Sequence, residues 1–173
     1  MVFGIAFRVA SVVNWSEFHP DPGDVTHIEV PCMTGDKFCE EQGTKHIDFL
    51  KIDAEGHDFA VLRGFEKRLR SNDVDWIQFE YNEFSFRAGS SLRQIFSFLC
   101  DDFLIGRLLP NGIELYEYSG MLEDFHQSNF VALSRRAYAA GLASKVNLRY
   151  PKGYLGLLCE PSRSRRVSVS VVQ

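Results

Sequence analysis

No stretch of this 173-residue chain approaches the roughly 18 consecutive apolar residues that a membrane-spanning helix needs. A helical membrane anchor is therefore not expected within it. Met1–Trp15 is mildly apolar, but Arg8 sits inside it, no basic segment precedes it and no small-residue cleavage site follows. It reads as mature structure rather than an export signal. The four cysteines, at 32, 39, 100 and 159, form no C-x-x-C pair, so the spacing of a zinc site or a redox motif is missing. Their even number leaves disulfides open. A chain of this length buries a core without staples, so the expected state is reduced, buried thiols in a cytoplasmic protein. Internal repeats are absent. Glycine is scarce at the start, where only Gly4 and Gly23 occur before residue 30.

What is present is ordinary for a globular domain, with one asymmetry. Hydrophobic residues make up 45% and include 15 Phe, which excludes wholesale disorder. The net charge of −4 hides two unlike parts. Residues 1–133 hold 11 Lys/Arg against 22 Asp/Glu, whereas residues 134–173 hold 8 Lys/Arg and a single acid, Glu160. A basic end on an acidic body either binds polyanions or folds back on the body. It lacks interleaved aromatics and any nucleic-acid fold signature, so nucleic acid is not the expected partner. The Ser162–Arg166 run reads as a mobile terminus.

The central pattern is strand, helix, strand. Residues 47–53 alternate as a strand and end in the polar turn Asp53-Ala54-Glu55-Gly56. Phe59, Leu62, Phe65 and Leu69 follow at helical spacing and form one apolar face. Ser71-Asn72-Asp73 breaks that helix, and Asp75–Tyr81 reads as a second strand. A unit of this order predicts parallel strands with a right-handed crossover. A further helix is expected over Ser91–Cys100. Segments 103–109, 113–118 and 129–134 then read as an antiparallel set closing a mixed sheet, with Pro110-Asn111-Gly112 as the turn between the first two. Upstream, Val2–Val13 and Thr26–Val30 read as strands, His19–Gly23 as a proline-rich loop, and Gly35–Gln42 as one or two helical turns with Phe38 and Cys39 inward. Residues 138–161 carry no clear pattern.

Open parallel sheets bind ligands at the carboxyl ends of their strands. Asp53 and Glu80 finish the two parallel strands. The first loop adds Glu55 and His57, and the second adds Asn82 and Glu83. Taken singly, each has a structural explanation. Asp53, Glu55 and Asp58 suit a helix start, His57 suits a surface, and Glu80 suits an ion pair with Lys51. Together they form a polar rim of carboxylates, an imidazole and a carboxamide. The set Asp53-x-Glu55-x-His57 with Glu80 also offers ligands of the kind that Mg or Mn takes, but the residues straddle a turn and no metal is assigned.

The block Ile47–Gly64, Ile-Asp-Phe-Leu-Lys-Ile-Asp-Ala-Glu-Gly-His-Asp-Phe-Ala-Val-Leu-Arg-Gly, resembles the signature of the FkbM family of S-adenosylmethionine-dependent methyltransferases. Val30–Phe38 is similar to the family's opening segment V-P-x-x-T-L-D-x-F, with Gly35 where the family has Leu. The similarity runs from about Ile28 to Leu133. It implies a Rossmann-like class I methyltransferase fold of the α/β class, with residues 47–53 and 75–81 as its fourth and fifth strands. It also implies S-adenosyl-L-methionine as cofactor and O-methyl transfer to a small metabolite or a sugar hydroxyl. Asp53 then matches a catalytic or cofactor-binding position, and Glu80 a base or orienting group. Glu55 and His57 are further catalytic candidates, and Asn82 and Glu83 are substrate-binding candidates.

The glycine-rich loop that holds the cofactor in such enzymes is not found in Met1–Val30. The expected organisation is therefore a fold truncated at its N-terminal half. It comprises an N-terminal segment over 1–27 that supplies a covering edge strand, a partial methyltransferase domain over 28–134, and a basic extension over 135–173 whose last dozen or so residues are disordered. The alternative reading is a non-catalytic interaction module, pairing through an open sheet edge with a second copy or a partner strand.

Overall fold

The computed structural model describes residues 30–151 and residue 154. The expected strand over 2–13, the loop over 19–23, nearly all of the strand expected over 26–30, Cys159 and the Ser/Arg-rich end lie outside the described residues.

Helix α1 spans Gly35–Glu41 and is capped by Thr34, whose hydroxyl accepts from Lys37 N–H. Strand β1, Ile47–Lys51, pairs in parallel with β2, Val74–Tyr81. The crossover is made of two short helices, α2 over Asp58–Gly64 and α3 over Glu66–Arg70. The single helix expected from Phe59 to Leu69 is broken at Phe65. There the backbone leaves helical geometry (φ −106°) so that the ring turns inward beside α1. An added Cβ on Gly35 would lie 2.2 Å from that ring. The break therefore seats Phe65 in space that only a glycine leaves open.

After β2 come α4 (Glu83–Arg87), α5 (Leu92–Leu99), β3 (Phe103–Leu109), β4 (Gly112–Leu115), a 3-10 turn (Gly120–Leu122) and β5 (Ser128–Ser134). The helix expected over Ser91–Cys100 forms as α5, with Ser91 as its cap and Gln94 returning the bond. The predicted strand over 113–118 stops at Leu115. Strand β5 inserts antiparallel between β2 and β3, giving the order β1-β2-β5-β3-β4-β6. The last strand, β6 (Leu148–Arg149), pairs parallel with β4, and α6 (Arg135–Ala139) precedes it. The sheet thus continues past residue 134. Part of the basic segment folds back on the acidic body, where Arg136 binds Asp75 and Arg135 donates to the carbonyl oxygens of Cys100 and Asp101.

The alternation of β2 assigns its two faces. Ile77, Phe79 and Tyr81 turn toward α2, α3 and α5. They meet Leu62, Leu69, Ile95, Leu99, Phe103, Phe130 and Ala132 in the main core. Trp76 turns the other way, toward Leu104, Val131 and Leu133, with Tyr138 and Leu148 packed over them. Farther along that second face, Gln78 and Glu80 are polar. They join Asn129 (2.8 Å) and Gln127 (2.6 Å) across to β5 and the loop before it. Among the thiols, Cys39 is buried as expected. Cys100 caps the end of α5 and, with Cys32, lies at the surface, contrary to the expected burial.

Phe79 and Phe130, both fully buried, stack across β2 and β5 with centroids 5.6 Å apart. Phe79→Ala removes this contact and leaves a cavity. It is expected to cost about 3–5 kcal/mol, measured by urea denaturation.

Candidate functional site

The site begins with a turn. Past Lys51 the chain leaves the sheet, although Ile52 N–H still donates to Gln78 O at 2.8 Å. Glu55 and Gly56 then take positive φ in succession, 47° and 94°, and His57 N–H bonds back to Ala54 O at 3.0 Å. This is the signature of a type I′ turn. It brings Gly56 against the start of α4. A Cβ at Gly56 would stand 2.6 Å from the Phe84 backbone, and Ser90 Oγ donates to Gly56 O at 3.3 Å. The loop after β1 therefore lies directly on the loop after β2.

Asp58 locks the two together. Its side chain is 1% exposed, and its two oxygens accept from Glu80 N–H (3.1 Å) and Ala54 N–H (3.4 Å). Burial pushes its carboxyl above the ordinary range. The backbone N–H groups of Glu80 and Ala54 oppose that rise, and the nearby Glu80 charge adds to it. The importance of Asp58 was missed in the sequence because an acid in the first turn of a helix reads as a dipole partner. The signal that could have found it is its spacing, four residues before Leu62, which puts Asp58 on the same helical face as Leu62, Phe65 and Leu69.

The predicted site residues take unequal places. Asp53 is half exposed and pairs with Lys51 at 2.7 Å, so Lys51 is not the partner of Glu80 that the spacing allowed. Glu80 is partly exposed and accepts from Gln127 Nε2. Lys51 faces Gln78 in the last pair of the β1–β2 ladder, and Asp53 lies two residues beyond the end of β1. Glu55 is partly exposed at the tip of the turn, and His57 precedes α2 without a side-chain cap bond. Asn82 is buried and caps α4, its Oδ1 accepting from Phe84 N–H (2.9 Å) and Ser85 N–H (3.3 Å). Glu83 is exposed and pairs with Arg87 one turn along. Asp53, Glu55 and Glu80 are thus at least partly exposed, while the carboxamide oxygen of Asn82 is occupied by the helix it starts.

A second carboxylate organises the loop before β5. Glu123 accepts from Tyr81 OH, Tyr118 OH (3.1 Å), Leu92 N–H (3.2 Å) and Arg93 N–H (2.9 Å). Partial burial works to raise its pKa, but these four donors outweigh it and hold the carboxyl below its usual range. Burial, and then the Glu123 charge, push the Tyr81 hydroxyl well above its usual value.

Among the described residues one group has three metal-ligand atoms within 4.8 Å of one another, and it is not at this rim. It is His46, Asp48 and Asp75, at the opposite ends of β1 and β2. There Asp75 is buried, and its oxygens are taken by His46 Nε2 (3.1 Å) and by the Arg136 guanidinium, which supplies the cation. Asp53, Glu55, His57 and Glu80 form no comparable group.

Residues 7–103 match the family model described as the Methyltransferase FkbM domain, which is more than half of the chain. The chain belongs to the FkbM methyltransferase family. The match begins ahead of the residues that carried the resemblance and ends at the first residue of β3. It spans α1, the β1-crossover-β2 unit, α4 and α5, so the rim lies inside it. The six-stranded mixed sheet is that of a Rossmann-like methyltransferase fold. No curated protein and no solved structure matches the chain. Among the described residues no helix of this FkbM protein is long and apolar enough to cross a membrane.

Two outcomes test this geometry. Gly56→Ala forces a side chain into the Phe84 backbone at positive φ and is expected to cost about 2–4 kcal/mol in chemical denaturation. Glu123 has a folded pKa below the ordinary 4.5, so its contribution is present above that value and is lost as the pH falls through the folded pKa. Glu123→Gln should therefore lower the melting temperature at pH 7, and the gap to the parent protein should close in acid.

Proposed function

We propose that this FkbM protein is an S-adenosyl-L-methionine-dependent methyltransferase acting on a hydroxyl of a small acceptor. The observation that supports this reading best is the pair of accessible carboxylates, Asp53 and Glu80, at the carboxyl ends of adjacent parallel strands in a chain of this family. The donor chemistry fits the cofactor. A sulfonium is a cation, and this rim presents carboxylates to it. When bound, the cofactor supplies an activated methyl group. Asp53 is the residue assigned to hold its cationic part, with Lys51 released to solvent as that contact forms. Glu80 is assigned as the base. Its carboxylate would take the proton of the acceptor hydroxyl, leaving that oxygen free to accept the methyl group that the cofactor would supply. Gln127 orients the Glu80 carboxylate. Positioning supplies much of the remaining rate, and Asp58 ties the turn that follows Asp53 to the backbone of Glu80. Glu55, His57 and the exposed Glu83 are assigned to meet the acceptor. Asn82 acts there through the helix it caps.

Glu80→Gln should reduce methyl transfer by about 10²-fold or more while leaving the calorimetric heat of S-adenosylmethionine binding in place. A variant that keeps the parent turnover would remove Glu80 from the base role. Absence of heat at millimolar cofactor with the full chain would reject the reading as a whole.

A further inference from the structure

The β3–β4 hairpin, on the far side of the sheet from β1, carries a reactive pair of residues. Pro110 and Asn111 form its turn, and Gly112, the first residue of β4, faces Leu109. Asn111 is exposed, and its side chain makes no hydrogen bond among the described residues. An asparagine followed by glycine brings a carboxamide next to the least hindered backbone nitrogen a chain offers, because glycine has no Cβ to block the approach.

The fold holds that glycine in place. Gly112 has φ +146°, and a Cβ there would stand 2.1 Å from Asn147 O, so a side chain at this position meets both strain and a backbone clash. Asn147 then grips the turn twice. Its Nδ2 donates to Asn111 O at 2.9 Å, and its own carbonyl oxygen accepts from Ile113 N–H at 2.9 Å. The first bond has a chemical effect. Asn111 O and Gly112 N belong to one amide group, so a donor on the oxygen draws electron density from the nitrogen and makes its proton easier to remove. The same donor stabilises the charge that collects on the oxygen once that proton has gone, as an oxyanion-hole donor does.

We propose that Asn111 is a self-modification site, activated by Asn147, at which the chain converts its own asparagine to an isoaspartyl residue and thereby unfastens β6. The reaction is independent of methyl transfer. Hydroxide removes the Gly112 N–H proton, and the nitrogen attacks Asn111 Cγ. The new N–C bond closes a cyclic imide as the Cγ–Nδ2 bond breaks, and ammonia leaves with a proton taken from water, which restores the hydroxide. Water then adds to a ring carbonyl and a ring C–N bond opens. The sum is a carboxamide and water giving a carboxylic acid and ammonia, with nothing oxidised or reduced. Opening at the main-chain carbonyl gives the isoaspartyl form, in which the chain runs through Cγ and gains a methylene ahead of Gly112. The carbonyl that Asn147 held becomes a free carboxylate. Gly112 lies so close to Asn147 that the added methylene pushes Ile113 N–H off Asn147 O. Strand β6 is only Leu148–Arg149, registered on Ile113 and Glu114 beside that bond, so it loses its hold.

The test is to age the folded full chain in mildly alkaline buffer made with heavy-oxygen water, and to follow residue 111 by peptide mapping with mass spectrometry. Conversion to an acid that carries the heavy oxygen is expected, with the isoaspartyl form identified by its fragmentation, at a rate that rises in proportion to hydroxide. Asn111→Gln, whose longer side chain needs a larger ring, should lose the conversion. Asn147→Ala and Asn147→Asp, which remove the donor, should slow it at an unchanged circular-dichroism spectrum. In the aged parent, trypsin should cut after Arg149 about fivefold or more faster than in the fresh parent, because β6 has opened. Aged Asn111→Gln should be cut at the fresh rate. A folded chain that stays unmodified while the urea-unfolded chain converts overturns the proposal, by showing that the hairpin protects Asn111. Conversion at the parent rate or faster in both Asn147 variants overturns the activation. Equal trypsin cleavage of the aged and fresh parent overturns the unfastening of β6.

Discussion

A buried carboxylate bridging two backbone amides carries the geometry of this rim. Asp58 reaches from the first turn of α2 to the N–H of Ala54 on one side and of Glu80 on the other. Neither amide has a partner in the β1–β2 ladder at that level, because β1 has ended and the strands are diverging. An unmade bond at a buried amide costs about as much as a lost hydrogen bond, so the carboxylate closes a gap that the sheet leaves. It does so at the cost of its own desolvation, which is why its pKa rises. The stretch from Asp53 to Gly56 and the end of β2 therefore move as one body.

The same economy recurs across the domain. Glu123 closes the open amides of α5 and fastens the loop before β5 to Tyr81 at the end of β2. Asp75 anchors the far ends of the parallel strands to His46 and Arg136, so the basic stretch after β5 becomes part of the body. In each case an acid that counts as one unit of surface charge in the sequence is spent internally. The strongly negative charge of residues 1–133 consequently overstates how acidic the surface is, and the opposite sign of the later segment is partly consumed in holding the sheet.

Periodicity exposed the repeating parts of this fold. The alternation in 74–81 and the helical spacing in 92–99 correspond to real elements, and Pro110-Asn111-Gly112 marks the β3–β4 hairpin. The parallel pairing and the antiparallel set also follow from element order alone. What periodicity misses is where a pattern persists and the backbone does not. Phe59, Leu62, Phe65 and Leu69 keep helical spacing through the break at Phe65, because the ring must point inward on either side of it. The strand starting at Ile47 ends two residues early, because Asp53 belongs to the turn. At the rim, residue types were legible and partners were not. Lys51 sits on its own strand two residues from Asp53, closer than Glu80, and local pairs win over cross-strand ones when side chains share a face. The exposed Phe86 on α4 and Phe125 in the loop before β5 carried no sequence signal at all. Apolar residues in short segments look like core, and only the fold reveals that these two have none to enter.

The contact between Gly35 and Phe65 has an evolutionary corollary. The motif that Val30–Phe38 resembles has Leu at the first of these positions, and here the space beside Gly35 is filled by an aromatic ring arriving from the crossover. One cavity is occupied from the opposite wall, so the two sites cannot drift independently. A lineage restoring the bulky aliphatic must first shrink its neighbour, and the intermediate with both large residues is sterically closed. Substitutions at these sites should then appear as correlated exchanges in descendants of this sequence, and the break between α2 and α3 should be inherited together with the glycine.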